Sequence, residues 1–239
     1  MRSCLATLVV LVAVVVLGLG YLGFIPVVAG VFGSDKPRDL GVKTTAADLQ
    51  SANGKTGVKL TELPPNSSPQ GSIKYSGQIP VNNSFTDREL TALAGDSKWK
   101  YNPFQDVQIK ISNDGTLEAS GILRVNRLPG YAAAAGVSSD VVTTVMDKLQ
   151  IVPNSSPAFY VKGAGSVVNN KVNFDFQQVE VGRLSVPSNL ILDNKGAITS
   201  FLENKITKIP GLSVKSATLS NGALKFGGTL PAVEATVRN

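Results

Sequence analysis

The sequence predicts an α+β protein: an N-terminal transmembrane helix followed by a mainly antiparallel β domain, a curled sheet of hairpins wrapping short helices. Three observations carry this expectation. An uncharged apolar run fills Leu5 to Phe32, and several later segments alternate apolar and polar residues with a period of two. Turn-forming pairs such as Asp114-Gly115 and Asn221-Gly222 separate those segments.

The apolar run comes first. At ~1.5 Å rise per residue, about 20 residues cross a ~30 Å hydrocarbon core, so Leu5 to Phe32 is long enough to span a membrane. It exceeds the ~7–15-residue apolar core of a secretory signal, which favours an uncleaved single-pass anchor. Val27-Val28-Ala29 fits the small-residue pattern of a cleavage site, so cleavage stays open. Cys4, the only cysteine, stands at the start of the run rather than after it, and no internal disulfide can form. Arg2 alone precedes the run while Lys36, Arg38 and Lys43 follow it, a bias that by itself favours a cytoplasmic domain. The very short N-terminal tail and the Asn/Ser/Gly-rich surface favour the opposite, a cell-membrane protein with an extracytoplasmic C-terminal domain, and this is the placement adopted.

The net charge is +6, with basic residues such as Lys59, Lys74, Lys110, Arg124, Lys171 and Lys215 scattered singly. Scattered charge reads as a solvated surface, or as attraction to anionic lipid or an anionic envelope polymer. No basic cluster is interleaved with aromatics, so nucleic acid is not an expected partner. Oligomeric state is not legible.

Three divisions follow: residues 1–33 as the anchor, 34–70 as a linker, and 71–239 as the β-rich domain. The linker carries a short helix around Thr45–Ser51 and a strand Val58–Leu63, then the proline-rich Pro64 to Pro69. The domain opens with Ile73, Tyr75, Ile79 and Val81 alternating with Lys74, Ser76 and Gln78, read as one strand. Thr86 and Glu89 have capping-box spacing and start a helix with Leu90 and Leu93. Val107, Ile109 and Ile111 then face one way, Asn113-Asp114-Gly115 turns the chain, and Leu117, Ala119, Leu123 and Val125 return. A helix over Ser139 to Leu149 places Val141, Val142, Val145, Met146 and Leu149 on one stripe. A second hairpin runs from Tyr160 and Val161 through Asn169-Asn170 to Val172, Phe174 and Phe176. A third helix, about Ala197 to Ile206, buries Ile198, Phe201, Leu202 and Ile206, and Pro210-Gly211 ends it. A last hairpin closes the chain.

That last hairpin repeats an earlier one. Asn113 to Leu123 aligns without a gap to Ser220 to Leu230, sharing the turn glycine, the leucine two residues on and the glycine six residues on. Each is preceded by a short helix, giving candidate helix-hairpin units over 86–125 and 197–231. Duplication and convergence on common turn chemistry are both open readings.

The anchored arrangement, the strand pattern from Asp106 to Leu123, and the run from Phe159-Tyr160-Val161-Lys162-Gly163 to Val181-Gly182-Arg183-Leu184-Ser185-Val186-Pro187 resemble the YpmS-like envelope proteins. More distantly they resemble the TULIP-like, tubular lipid-binding superfamily. The resemblance spans roughly residues 70–231. It implies a long antiparallel sheet wrapped around a helix with an apolar groove for acyl chains, shallow here because the chain is short. It brings no catalytic residues.

Enzymatic chemistry finds little support in the composition. With no histidine, Ser-His-Asp and Cys-His arrangements and the commonest metal ligand are missing. Phosphate-loop and dinucleotide glycine patterns are absent. Asp87 with Glu89, and Asp140 with Asp147, read as helix-surface carboxylates rather than an acid/base pair. No catalytic, cofactor-binding or metal-ligating candidates follow, no cofactor is expected, and the protein is read as a non-enzyme.

The remaining functional feature is the apolar alternation itself. Ile109, Leu117, Phe174 and Phe176 are the candidates for lining an apolar groove. The expected function is an extracytoplasmic lipid-binding domain, or one binding another apolar envelope molecule. The alternative is a structural module for a protein or polymer partner, with the same residues as closed core.

Overall fold

The computed structural model describes residues 35–138, 140, 143, 155–182 and 184–238. The predicted anchor Leu5 to Phe32 lies outside these, as do all but Asp140 and Thr143 of the predicted helix Ser139 to Leu149. Among the described residues no helix is long and apolar enough to cross a membrane. The described residues form an α+β architecture with a mainly antiparallel sheet and four α-helices of defined extent.

The main sheet has eight strands, and its backbone is the order β3-β10-β9-β6-β5-β4. These are β3 (Ile79–Thr86), β4 (Phe104–Ile111), β5 (Thr116–Leu123), β6 (Ala158–Val168), β9 (Ser213–Ser220) and β10 (Ala223–Leu230). β7 (Lys171–Val181) and the short β8 (Leu184–Ser185) continue from β6. β6 and β7 form the longest hairpin, closed by Asn169 and Asn170 with φ of 50° and 64°, the left-handed pair that a two-residue turn requires. β7 runs along one edge of β6, so β5 and β9 share the other: Ala158 to Ala164 pair with β5 and Ser166 to Val168 with β9. The sheet forks at this point.

Two glycines make the long hairpin work. Gly163 and Gly165 stand opposite Phe176 and Phe174, and a Cβ on either would collide with the Phe174 ring and the β7 backbone. The ring fills the space that the missing side chains leave, the aromatic cover that weak strand glycines need.

A second sheet, β1-β11-β2, joins β1 (Lys59–Glu62), β11 (Val233–Thr236) and β2 (Ile73–Ser76), with β1 parallel to β11 and β2 antiparallel to it. The segment read as one strand from Ile73 to Val81 is therefore two strands in two sheets. The break falls at Gly77, whose φ of 68° excludes extended backbone and whose α-carbon packs against Ala232. The small sheet also draws residues upstream of Gly71 into the fold: β1 pairs with the C-terminal strand, and α1 (Ala46–Thr56) packs on α2 (Asp87–Gly95).

Helix ends follow local chemistry. Thr86 and Glu89 cap α2 reciprocally, as their spacing predicts, and Thr45 with Asp48 does the same for α1. α2 covers the outer edge of β4, where the Thr91 hydroxyl accepts the Ile109 N–H at 2.9 Å and donates to the Ile109 carbonyl at 3.1 Å. Edge groups left open would invite another strand. No sequence signal marks α3 (Leu128–Ala134), because Pro129 and Gly130 interrupt any helical pattern; Pro129 is tolerated within the first turn.

α4 spans Ser188–Lys208 rather than about Ala197 to Ile206, and its predicted burial is not found. Phe201 and Leu202 are 39% and 38% exposed. The helix lies along the free edge of β7, where Glu203 accepts the Val172 N–H at 3.0 Å and pairs with Lys171 at 2.8 Å. Polar anchoring to a strand edge replaces the buried stripe that periodicity suggested.

The two similar hairpins meet at their turns where the sheet forks, β9 ending along β6 where β5 begins. The chain at Gly115 approaches the Leu219 carbonyl, and Gly222 approaches the Ile111 carbonyl. Each hairpin is extended by a strand from the other half, β10 by β3 and β5 by β6. Their turns differ: Asn221 and Gly222 have φ of 51° and 73°, whereas in the first hairpin Gly115 alone, at 84°, is left-handed. The tightly buried apolar side chains of the main sheet include Val81 and Phe85 on β3, Ile111 on β4 and Val214 on β9.

Candidate functional site

Residues paired directly across a ladder project from the same face of a sheet. One such row runs Ile111, Leu117, Gly163, Phe176 across β4 to β7, and the next runs Ile109, Ala119, Val161, Val179. Phe174 lies two residues from Phe176, so Ile109, Leu117, Phe174 and Phe176 all share one face. Each is half-buried. The two phenyl rings meet edge to face with centroids 4.8 Å apart. α4, beside this region, buries none of its residues fully and leaves Leu192 63% exposed.

The same face continues into an aromatic chain that the sequence did not reveal. Phe159 covers Gly121 on the neighbouring strand and meets Phe104 at 5.6 Å. Phe104 reaches Tyr131 of α3 at 6.1 Å, and Tyr131 reaches Trp99 at 5.7 Å. These rings come singly from four segments, so no local pattern links them. The one available signal was strand glycine opposite aromatic, as with Phe174 and Gly165.

The opposite face carries a strap. Gln108, Ser120, Tyr160 and Glu180 form one cross-strand row over β4 to β7. The segment just after the apolar run lies across this row. Arg38 donates to both Glu180 oxygens at 2.8 and 2.7 Å and stacks 3.9 Å from the Tyr160 ring centroid. The Leu40 N–H donates to Gln108 Oε1 at 2.8 Å, and Val42 is buried. Beneath, the Tyr160 hydroxyl donates to Glu118 at 2.6 Å, and burial together with that carboxylate pushes the phenol up to about 12. A planar guanidinium stacked over the Tyr160 ring while its Nη2 reaches both Glu180 oxygens is a geometry lysine cannot reproduce. Replacing Arg38 by alanine should open the strap by ~1–2 kcal/mol, seen as roughly tenfold faster tryptic cleavage after Lys43 with the rest of the chain resistant.

A half-buried carboxyl sits on the small sheet. Glu234 stands between Leu60 and Tyr75 in a cavity of about 250 Å³ that Trp99 and Leu93 also line. Burial raises its pKa, and burial plus the Glu234 charge raises that of Tyr75. The folded state therefore holds the Glu234 proton more tightly than the unfolded chain does. Its contribution to stability is greatest below the ordinary value of 4.5 and declines as pH rises through the folded value. Glu234→Gln should raise the melting temperature at pH 7 and leave it unchanged near pH 4, measured by calorimetry.

Among the described residues no group of three or more His, Cys, Asp or Glu side chains is placed to hold a metal ion. No family model, curated protein or solved structure matches this chain.

Proposed function

We propose that this chain is a membrane-anchored, extracytoplasmic TULIP-like domain that binds a lipid acyl chain, or another apolar envelope molecule, without catalysing a reaction. The observation that carries the reading is the half-buried apolar face on which Ile109, Leu117, Phe174 and Phe176 come together beside an α4 with no fully buried residue. Apolar surface of this kind gains ~25 cal/mol per Å² when a chain covers it. The strap adds a positional argument. Arg38 follows Phe32 by six residues, so fully extended backbone keeps the sheet within ~20 Å of the end of the apolar run. A domain held that close can reach lipid in the bilayer that anchors it.

Native mass spectrometry of the full chain released from mild detergent tests this. Co-purifying lipid adducts and uptake of a fluorescent fatty acid are expected. A clean apo mass with no uptake would overturn the reading and favour a module that holds a protein or polymer partner.

A further inference from the structure

A cavity of about 650 Å³ opens between the α1–α2 pair and the irregular start of β4. It lies apart from the four groove candidates, none of which lines it. Two arginines do, Arg124 and Arg127. Arg124 Nε donates to Gln105 Oε1 at 2.6 Å, and Arg127 donates to the Asn102 carbonyl at 3.2 Å, so both side chains are held by groups of the same wall. Burial, then the like charge of Arg124, presses the Arg127 pKa below its ordinary value. Two neighbouring cations in one recess favour a doubly accepting anion, and arginine forks match phosphate oxygens in pairs.

The cavity is not uniformly positive. Asp96, at the end of α2, and Asp106 also line it. Asp106 is an exposed residue in the bulge that separates Gln105 from Gln108, held at a left-handed φ of 51°. Asp96 meets Lys98 at 3.6 Å, but that lysine is 66% exposed and such a pair holds weakly. The N-terminal end of α1, with Thr45, and the C-terminal end of α2 both reach the cavity, placing opposite ends of two helix dipoles around it. A purely anionic ligand would meet two carboxylates and the negative end of α2. A ligand with a phosphate at one end and an ammonium at the other satisfies both signs.

We propose that this cavity binds a phosphate-amine zwitterion, with Arg124 and Arg127 holding the phosphate and Asp96 and Asp106 facing the ammonium. The chemistry is that of a phosphoethanolamine group, free or as a lipid headgroup. The site stands on its own geometry and does not require the apolar face to bind anything.

The test is titration calorimetry on the full chain in an uncharged detergent, with O-phosphoethanolamine as the soluble probe and inorganic phosphate and ethanolamine as controls. Saturable binding of O-phosphoethanolamine, at least tenfold tighter than either control, is expected. Arg124→Gln and Arg127→Gln should each weaken it tenfold or more. Asp106→Asn, at an exposed position, should keep phosphate binding and erase the preference over inorganic phosphate. A parallel arm adds phosphatidylethanolamine or phosphatidylglycerol to the micelles. A response to the first lipid with none to the soluble probe assigns the site to a lipid headgroup, and a response to both assigns it to the group itself. No saturable response to either carrier of the group overturns the proposal. Binding that survives both arginine substitutions, or that does not discriminate against inorganic phosphate, also overturns it. Loss of fatty-acid uptake with this binding intact would instead remove the apolar-face reading alone.

Discussion

Glu89→Ala is expected to destabilise the fold by roughly 3 kcal/mol. Glu89 is buried, its side chain 6% exposed, and it gathers four groups: Lys55 at 2.6 Å, the Ser51 hydroxyl at 2.5 Å, the Thr86 N–H at 2.9 Å and, reciprocally, the Thr86 hydroxyl on its own N–H. Through them it ties α1 to the start of α2. Removing one partner of a buried pair costs ~3–5 kcal/mol because the other charge is stranded. Lys55 keeps 32% exposure and a second bond to the Ser84 carbonyl, which places the effect at the low end of that range. The pH dependence has a definite sign. Burial alone would raise the Glu89 pKa, but the hydrogen bonds from Lys55, Ser51 and Thr86 outweigh it and hold the carboxyl below its ordinary value. Its stabilisation is therefore complete above pH 4.5 and is lost as pH falls through the lowered folded value. Urea titrations at pH 7 and pH 3 should show the wild type and Glu89→Gln converging at the lower pH.

The same residue shows what the sequence could reveal. Thr86 with Glu89 is a local signal, three residues apart, and the capping box forms where that spacing places it. The side-chain periods of β4, β5 and β7 and the turns at Asn169-Asn170 and Asn221-Gly222 are equally local and equally legible. The ion pair with Lys55 is not, because it spans 34 residues and depends on how α1 docks. Long-range placement also hid the strap: Arg38 and Glu180 are 142 residues apart, and nothing in a polar connector marks an arginine that will stack on a tyrosine. Glycine misled in both directions. Gly77 ended a strand that alternation carried through it, while Gly163 and Gly165 sit inside a strand because Phe174 covers them. For α4 the periodic apolar residues predict a buried stripe, yet polar contacts to the β7 edge set where that helix lies.

Of the candidate site, alternation was enough to place Phe174 and Phe176 on one face, and the ladder registers add Ile109 and Leu117 to it. The arginine-lined cavity was invisible, since Arg124 reads as one more scattered surface charge. Its meaning comes from Arg127 and from a bulge on the neighbouring strand, neither of which a sequence pattern marks.

The central claim is that the apolar face binds a chain, and Phe174→Ala tests it most directly, read as fatty-acid affinity and melting temperature of the same sample. Phe174 is half-buried, packed on Phe176 and on the glycines of β6. Losing about 50 Å² of ring contact with a bound chain would cost ~1.3 kcal/mol, close to tenfold in affinity. The stability loss should stay below the ~3–5 kcal/mol typical of a closed aromatic core. Weaker uptake with a modest drop in melting temperature is the result this account predicts; unchanged uptake together with a full core-sized loss of stability would contradict it.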